Sequence, residues 1–267
     1  MRTSRLLLYG AVLTALSVGA GACAATPQLP RPAAVVRAPT SSPTASPAPA
    51  QPPVVVLDPG HNGRNAENRA AMNRQVPDGR GSTKACNTTG TQTDAGYAEH
   101  AFNFDVASRV AQQLTATGVR VVLTRSDDDG VGPCVDERGR AGETADADAV
   151  VSIHADGAPA RGRGFHVAFS EPPLNPAQEG PAHRLAGALR DAMRAARFPD
   201  SDYAGQDGLS PRYDLAGLNL ATRPTALVEC ANMRNPGEAA LVTSPEGRAR
   251  YATAIAAGVL SFLGSAR

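Results

Sequence analysis

The stretch Ala149-Val150-Val151-Ser152-Ile153-His154-Ala155-Asp156 decides the fold. A short apolar, β-branched run bounded by polar residues reads as a strand buried on both faces, the kind a parallel sheet contains. Two other stretches share its form: Val54-Val55-Val56-Leu57-Asp58-Pro59-Gly60-His61 and Ala226-Leu227-Val228-Glu229-Cys230. Between them lie helical patterns. Phe102, Val106, Val110 and Leu114 recur every four residues over 99–117, one face of a helix, and Gly118 closes it. Tyr251, Ile255, Val259 and Phe262 mark a closing helix over 246–263. Further strands are expected at 119–123, 164–169 and 224–228, and further helices at 138–146 and 183–197. Alternating strands and helices predict one α/β domain with a mostly parallel central sheet flanked by helices. Residues 64–98 show no sustained periodicity and are rich in Asn, Gly and Thr. A loop that long inside a compact domain is functional or disordered, and its position suggests a flap over a cleft.

In such sheets ligands bind beyond the carboxyl ends of the strands. That edge receives His61, His154 and Glu229, while Glu99 opens the first long helix. A lone histidine after a strand is ordinarily a surface or capping residue. Two of them, each ending a β-branched run and accompanied by carboxylates, are harder to explain by packing. His61, Glu99 and His154 form a candidate His-Glu-His set, the way a hydrolytic zinc site is built with one position left open. The His-Glu-x-x-His helix motif is absent. Its inverted form also fails, because Gly96 stands where the pattern before Glu99-His100 needs histidine. Asp58 either serves the Asp-Pro-Gly turn, the reading favoured, or orients a ligand histidine; Asn62 is undecided. His100, His166 and His183 lack the strand-end setting and read as ordinary surface or helix residues.

Asp58-Pro59-Gly60-His61, the later Glu99, Ser152-Ile153-His154-Ala155-Asp156, and Val228-Glu229 with Asn232 to Pro236 together resemble the zinc-dependent N-acetylmuramoyl-L-alanine amidases, which cleave bacterial peptidoglycan. The resemblance spans roughly residues 53–264. It implies that His61, Glu99 and His154 bind Zn2+ and that Glu229 is the catalytic acid/base. It also implies the bond attacked, between the lactyl group of N-acetylmuramic acid and L-alanine. One departure stands out. The family usually follows the late glutamate with Gly-Phe, whereas here Cys230-Ala231-Asn232-Met233 follows, so the pocket floor differs. Two other classes stay open: another zinc amide hydrolase of the wall (a carboxypeptidase or deacetylase) and a non-catalytic wall-binding lipoprotein. Binding alone would not need the late glutamate, which argues against the second.

The rest of the chain sets the address. Residues 1–22, a short basic start followed by an uncharged apolar run, form a secretory signal pattern. Cys23 directly after Ala20-Gly21-Ala22 also permits a lipid anchor. Residues 23–52 are mostly Pro, Ala, Ser and Thr, and are expected to be a disordered linker. Residues 53–267 are then the catalytic domain, exported to the periplasm or cell wall. A net charge of +1 gives no electrostatic case for nucleic acid. The single lysine (Lys84) among many arginines reads as a compositional bias rather than a binding surface. With no Trp and 4% aromatic residues, a long sugar-stacking groove is not expected, and recognition is expected to lean on polar contacts to peptidoglycan's peptide. A monomer is expected. Cys86 and Cys134 both lie in turn-rich loops of an exported chain, predicting a disulfide between them, whereas Cys230 sits in an apolar strand as a buried thiol.

Overall fold

The computed structural model describes residues 51–266. The expected leader 1–22, the lipidation position Cys23 and all but the end of the linker 23–52 lie outside the described residues. The chain runs β1 (Val54–Pro59), α1 (Arg69–Met72), β2 (Gln75–Pro77), β3 (Thr83–Ala85), α2 (Glu99–Ala116), β4 (Arg120–Leu123), α3 (Val135–Thr144) and β5 (Ala149–Asp156). It continues through β6 (His166–Ser170), α4 (Pro176–Glu179), α5 (Pro181–Ala195), β7 (Leu209–Arg212), α6 (Ala216–Asn219), β8 (Thr225–Asn232), α7 (Pro236–Thr243) and α8 (Pro245–Ser265).

Six strands form the central sheet in the order β4-β1-β5-β8-β6-β7. The first four run parallel; β6 lies antiparallel to β8 and parallel to β7. The expectation of a mostly parallel, helix-flanked sheet is thus met. Chain order reverses between β1 and β5, since β1 passes outward to β4 while the later strands build on the other side. That switch point opens a crevice beyond the carboxyl ends of β1 and β5, where His61 and His154 stand.

The two faces of the sheet differ. Val55 and Leu57, Val151 and Ile153, and Ala226 and Val228 point to one face, where they bury against residues of α2, α5 and α8 such as Phe102, Leu189 and Tyr251. The alternate residues point the other way. Near the amino ends they are apolar, as in Val56, Val150 and Leu227. Toward the carboxyl ends they become Asp58, Ser152, His154 and Glu229. The dry face holds the fold together, and the other face carries the polar groups.

Three expectations change. Residues 64–98 are not featureless: they hold α1 and the antiparallel β2–β3 pair, backed by a small cluster of Met72, Val76, Cys86 and Cys134. The pair is tied to the segments that follow β6 and β7 by Arg80 Nη2 donating to the Pro172 carbonyl at 2.6 Å and by Lys84 Nζ donating to the Asp214 carbonyl at 2.7 Å. Elements this short leave no periodicity to read. Second, Asp58 does not serve a turn. β1 runs on through Pro59, which pairs with Ile153 of β5, and the Asp58 carboxylate is buried among Arg138 Nη1 (2.7 Å), Ser152 Oγ (2.6 Å) and Thr124 Oγ1 (2.6 Å). Burial alone would raise its pKa; the Arg138 charge and the two hydroxyl donors outweigh it and hold the group at about 2. Third, His166 is neither a surface nor a helix residue. It begins β6 and is 1% exposed. His100 and His183 do sit on helices, α2 and α5. The disulfide Cys86–Cys134 is formed, and Cys230 is a buried free thiol.

Candidate metal centre

The site is assembled from three chain segments. His61 follows β1, His154 lies near the end of β5, and Glu99 is the first residue of α2, where the positive helix terminus favours a carboxylate. Both imidazoles aim a nitrogen at one carboxylate oxygen: His61 Nε2 lies 3.2 Å and His154 Nδ1 2.9 Å from Glu99 Oε1. The rings meet edge to face with centroids 5.0 Å apart. The other oxygen, Oε2, accepts from the Thr91 backbone N–H at 2.9 Å, which fixes the carboxylate plane.

His61 departs from ordinary backbone geometry. Its φ of 61° lies in the left-handed region, which non-glycine residues rarely occupy. Its ring Nδ1 lies 3.1 Å from the Thr88 carbonyl. A carbonyl only accepts, so Nδ1 carries the proton and Nε2 is the nitrogen offered to the shared centre.

Charge reinforces the convergence. Burial pushes the Glu99 carboxyl up, but the His61 charge and hydrogen bonds from both imidazoles outweigh it and hold the group well below the usual carboxylate range. For His61, burial works against the cation, and Glu99 together with the Thr88 carbonyl overcomes it and raises the pKa. A buried carboxylate that gathers positive charge from two imidazoles is a locus a divalent cation suits. The donor atoms of His61, Glu99 and His154 lie within 4.8 Å of one another, and nitrogen plus carboxylate donors are those zinc accepts. The residues fit the metal. The other cluster of such side chains among the described residues, Cys134 with Asp136 and Glu137, has its sulfur committed to the disulfide.

Two glycines make room for these side chains. A Cβ on Gly60 would stand 2.1 Å from Cε1 of His154, and one on Gly90 would stand 2.8 Å from Oε2 of Glu99. Gly90 also has a φ of 76°. Gly60→Ala must therefore push the His154 ring out of line. We expect the variant to stay folded by circular dichroism and to lose about a hundredfold in amide hydrolysis, as small misplacements of reacting groups do. Wild-type turnover would show that the ring has room to spare.

Glu229 lies beside the set. Its register partner on β5 is His154 and on β6 is His166, so His154, Glu229 and His166 form one row across three strands. The Glu229 carboxyl is raised well above the usual range by burial and by the charges of Glu99 and Asp156, against a smaller opposing effect of Arg212. Its Oε2 is buried without a partner, as are Nδ1 of His166 and the hydroxyl of Tyr203, whose ring meets that of His166 edge on at 6.0 Å. Burial pushes His166 down to about 4, so its imidazole is neutral near pH 7. Sequence reasoning missed His166 because β6 is antiparallel, so its first residue and not its last reaches the site edge. On the opposite flank a cavity of about 200 Å³, lined partly by Val135, Val150, Leu218 and Leu227, opens beside His61 and His154.

An open-sided His-Glu-His set at an α/β switch point, with a protonatable carboxyl alongside, defines the class of metal-assisted hydrolases. The comparisons give the member of that class. Residues 55–261 match the family described as N-acetylmuramoyl-L-alanine amidase, and the chain belongs to that family. It is 51% identical over 223 residues to the N-acetylmuramoyl-L-alanine amidase Rv3717 of Mycobacterium tuberculosis, covering 84% of this chain and 91% of the relative. Its structure resembles the crystal structure of the amidase Ami1 from Mycobacterium smegmatis, with a TM-score of 0.78, 54% identity, and coverage of 80% of this chain and 97% of that one. The apo form of Ami1 from Mycobacterium abscessus gives a TM-score of 0.77 at 51% identity, over 79% of this chain and 98% of that one.

Proposed function

We propose that this amidase hydrolyses the bond between N-acetylmuramic acid and L-alanine in peptidoglycan, with zinc held by His61, Glu99 and His154 and with Glu229 as the acid/base. One observation carries the reading: two imidazoles converge on Glu99 Oε1 while Glu229, next in register, stays outside that convergence. The chemistry zinc supplies when bound is Lewis acidity, which activates water and polarises a carbonyl. Glu229 does the proton work. Its carboxylate takes the proton of the attacking water and returns it to the departing nitrogen, because an amine leaves an amide readily only once protonated. A raised pKa suits the delivery half of that cycle, since a carboxyl far below neutrality would hold the proton too weakly to hand it to nitrogen. Gly60 and Gly90 leave room for the ligands, and Thr88 and Thr91 hold their orientation.

The address belongs to the same proposal. Residues 1–22 direct export, 23–52 link, and 53–267 act on the wall; Cys23 is the residue a lipid anchor would use, and ordinary signal cleavage is the alternative. No described helix is long and apolar enough to cross a membrane. The experiment is digestion of purified muropeptides followed by mass analysis. Release of the intact stem peptide with its L-alanine amino group free is the expected result. Loss of only a terminal amino acid would mark a carboxypeptidase, and loss of only an acetyl group a deacetylase.

A further inference from the structure

We propose that the Cys86–Cys134 disulfide and Arg138 form one positioning device for His61, so that the affinity of the site for zinc depends on the disulfide. The inference rests on the zinc reading above. Its starting point is that His61 must be held in a left-handed backbone conformation that its own side chain does not favour. Two grips hold it. On one side the Thr88 carbonyl accepts from ring Nδ1 at 3.1 Å, and that carbonyl is itself fixed by Asn65 Nδ2 at 2.8 Å. On the other side Arg138 Nη2 donates to the His61 carbonyl at 2.9 Å and Nη1 donates to the Pro59 carbonyl at 2.8 Å. The guanidinium is almost wholly buried, and its fork spans the turn that carries the ligand.

The two grips come from segments distant in sequence, and the disulfide joins them. Thr88 lies two residues after Cys86. Arg138 lies one helical turn after Cys134, and its N–H donates to the Cys134 carbonyl at 3.0 Å. Next to the sulfurs, the Val135 N–H donates to the Cys86 carbonyl at 2.8 Å. The bond therefore closes a ring through both supports of His61. A disulfide bridging 48 residues also restricts the unfolded chain, and that role alone would change stability without touching zinc affinity. The ring predicts more, because supports of metal ligands ordinarily affect affinity by about 10–100-fold.

The test measures zinc dissociation constants on the full chain by competition with a chromophoric chelator, alongside thermal midpoints. Four preparations are compared: oxidised wild type, wild type reduced with a phosphine, the Cys86→Ser/Cys134→Ser double variant, and oxidised Arg138→Lys. Lysine keeps a cation opposite Asp58 but has no fork to reach the His61 carbonyl. Reduction and Arg138→Lys should each weaken zinc binding at least about tenfold with far-ultraviolet circular dichroism unchanged. Combined, they should weaken it by less than the product, because they release the same ligand. Zinc affinity within about twofold of wild type in either arm, whatever the thermal midpoint does, overturns the device. Disulfide-free chains that unfold would overturn the device, since the bond would then serve the fold as a whole and not the ligand. Oxidised wild type that binds no stoichiometric zinc would instead refute the zinc reading, and this inference with it.

Discussion

Glu229→Gln should keep its zinc and its thermal stability while muramoyl-peptide hydrolysis falls at least about a hundredfold. Glutamine preserves the volume and hydrogen-bonding capacity of the side chain, so the row across β5, β8 and β6 is not disturbed. The amide cannot take a proton from water or hand one to nitrogen, and a positioned proton shuttle contributes about 10²–10⁴ in rate. Stability should hold. The Glu229 Oε2 makes no hydrogen bond that the substitution could break, and the amide fills the same space. Two measurements decide: zinc content of the purified variant and release of stem peptide. Near-normal turnover removes Glu229 from the mechanism. Lost zinc would make it a ligand and reopen the role of Glu99.

Stripping the metal should abolish hydrolysis and leave the fold largely in place. The dry face of the sheet, with Phe102, Leu185, Leu189, Tyr251, Ile255 and Val259 buried against it, owes nothing to the site. Zinc would sit at the sheet edge among side chains already held by protein hydrogen bonds, unlike the small domains that unfold without their metal. His61→Ala or His154→Ala should have the same effect permanently, since each leaves two donors where a zinc site needs three. Metal analysis, activity with and without chelator, and circular dichroism of the stripped chain make the test. Full activity after chelation, or stoichiometric zinc in both alanine variants, would remove these residues from the ligand set.

The candidate site residues and the sheet were legible in the sequence for one reason. A buried parallel strand is a continuous apolar run, so the polar residue that ends it is conspicuous, as with His61, His154 and Glu229. Glu99 was legible because the four-residue rhythm of α2 begins at it. What was not legible acts through backbone. Arg125 and Arg138 are buried and donate to the Pro59, Gly60 and His61 carbonyls, yet they leave no pattern, since a carbonyl has no residue identity. The Arg-rich composition gave no sign of which arginines are structural. Asp58 misled for a related reason: Asp-Pro-Gly is turn chemistry locally, and only the distant Arg138, Ser152 and Thr124 reveal the buried carboxylate. The disulfide was readable because both cysteines stood in turn-rich loops.

The alternation of side chains along the central strands has a consequence for how this enzyme tolerates change. On β5 and β8, neighbouring positions answer to different demands. Polar replacements at Val151, Ile153 or Val228 open or wet the packed interior and should appear as lost soluble protein. Replacements at His154 or Glu229 fall in the polar row at the crevice and should leave yield intact while silencing the enzyme. Tolerance plotted along either strand should therefore flicker with a period of two, abundance failing at one residue and activity at the next. Inactive but well-folded forms of this amidase are thus a single substitution away at several positions, and a drifting lineage could keep the scaffold on the cell wall long after the chemistry had gone.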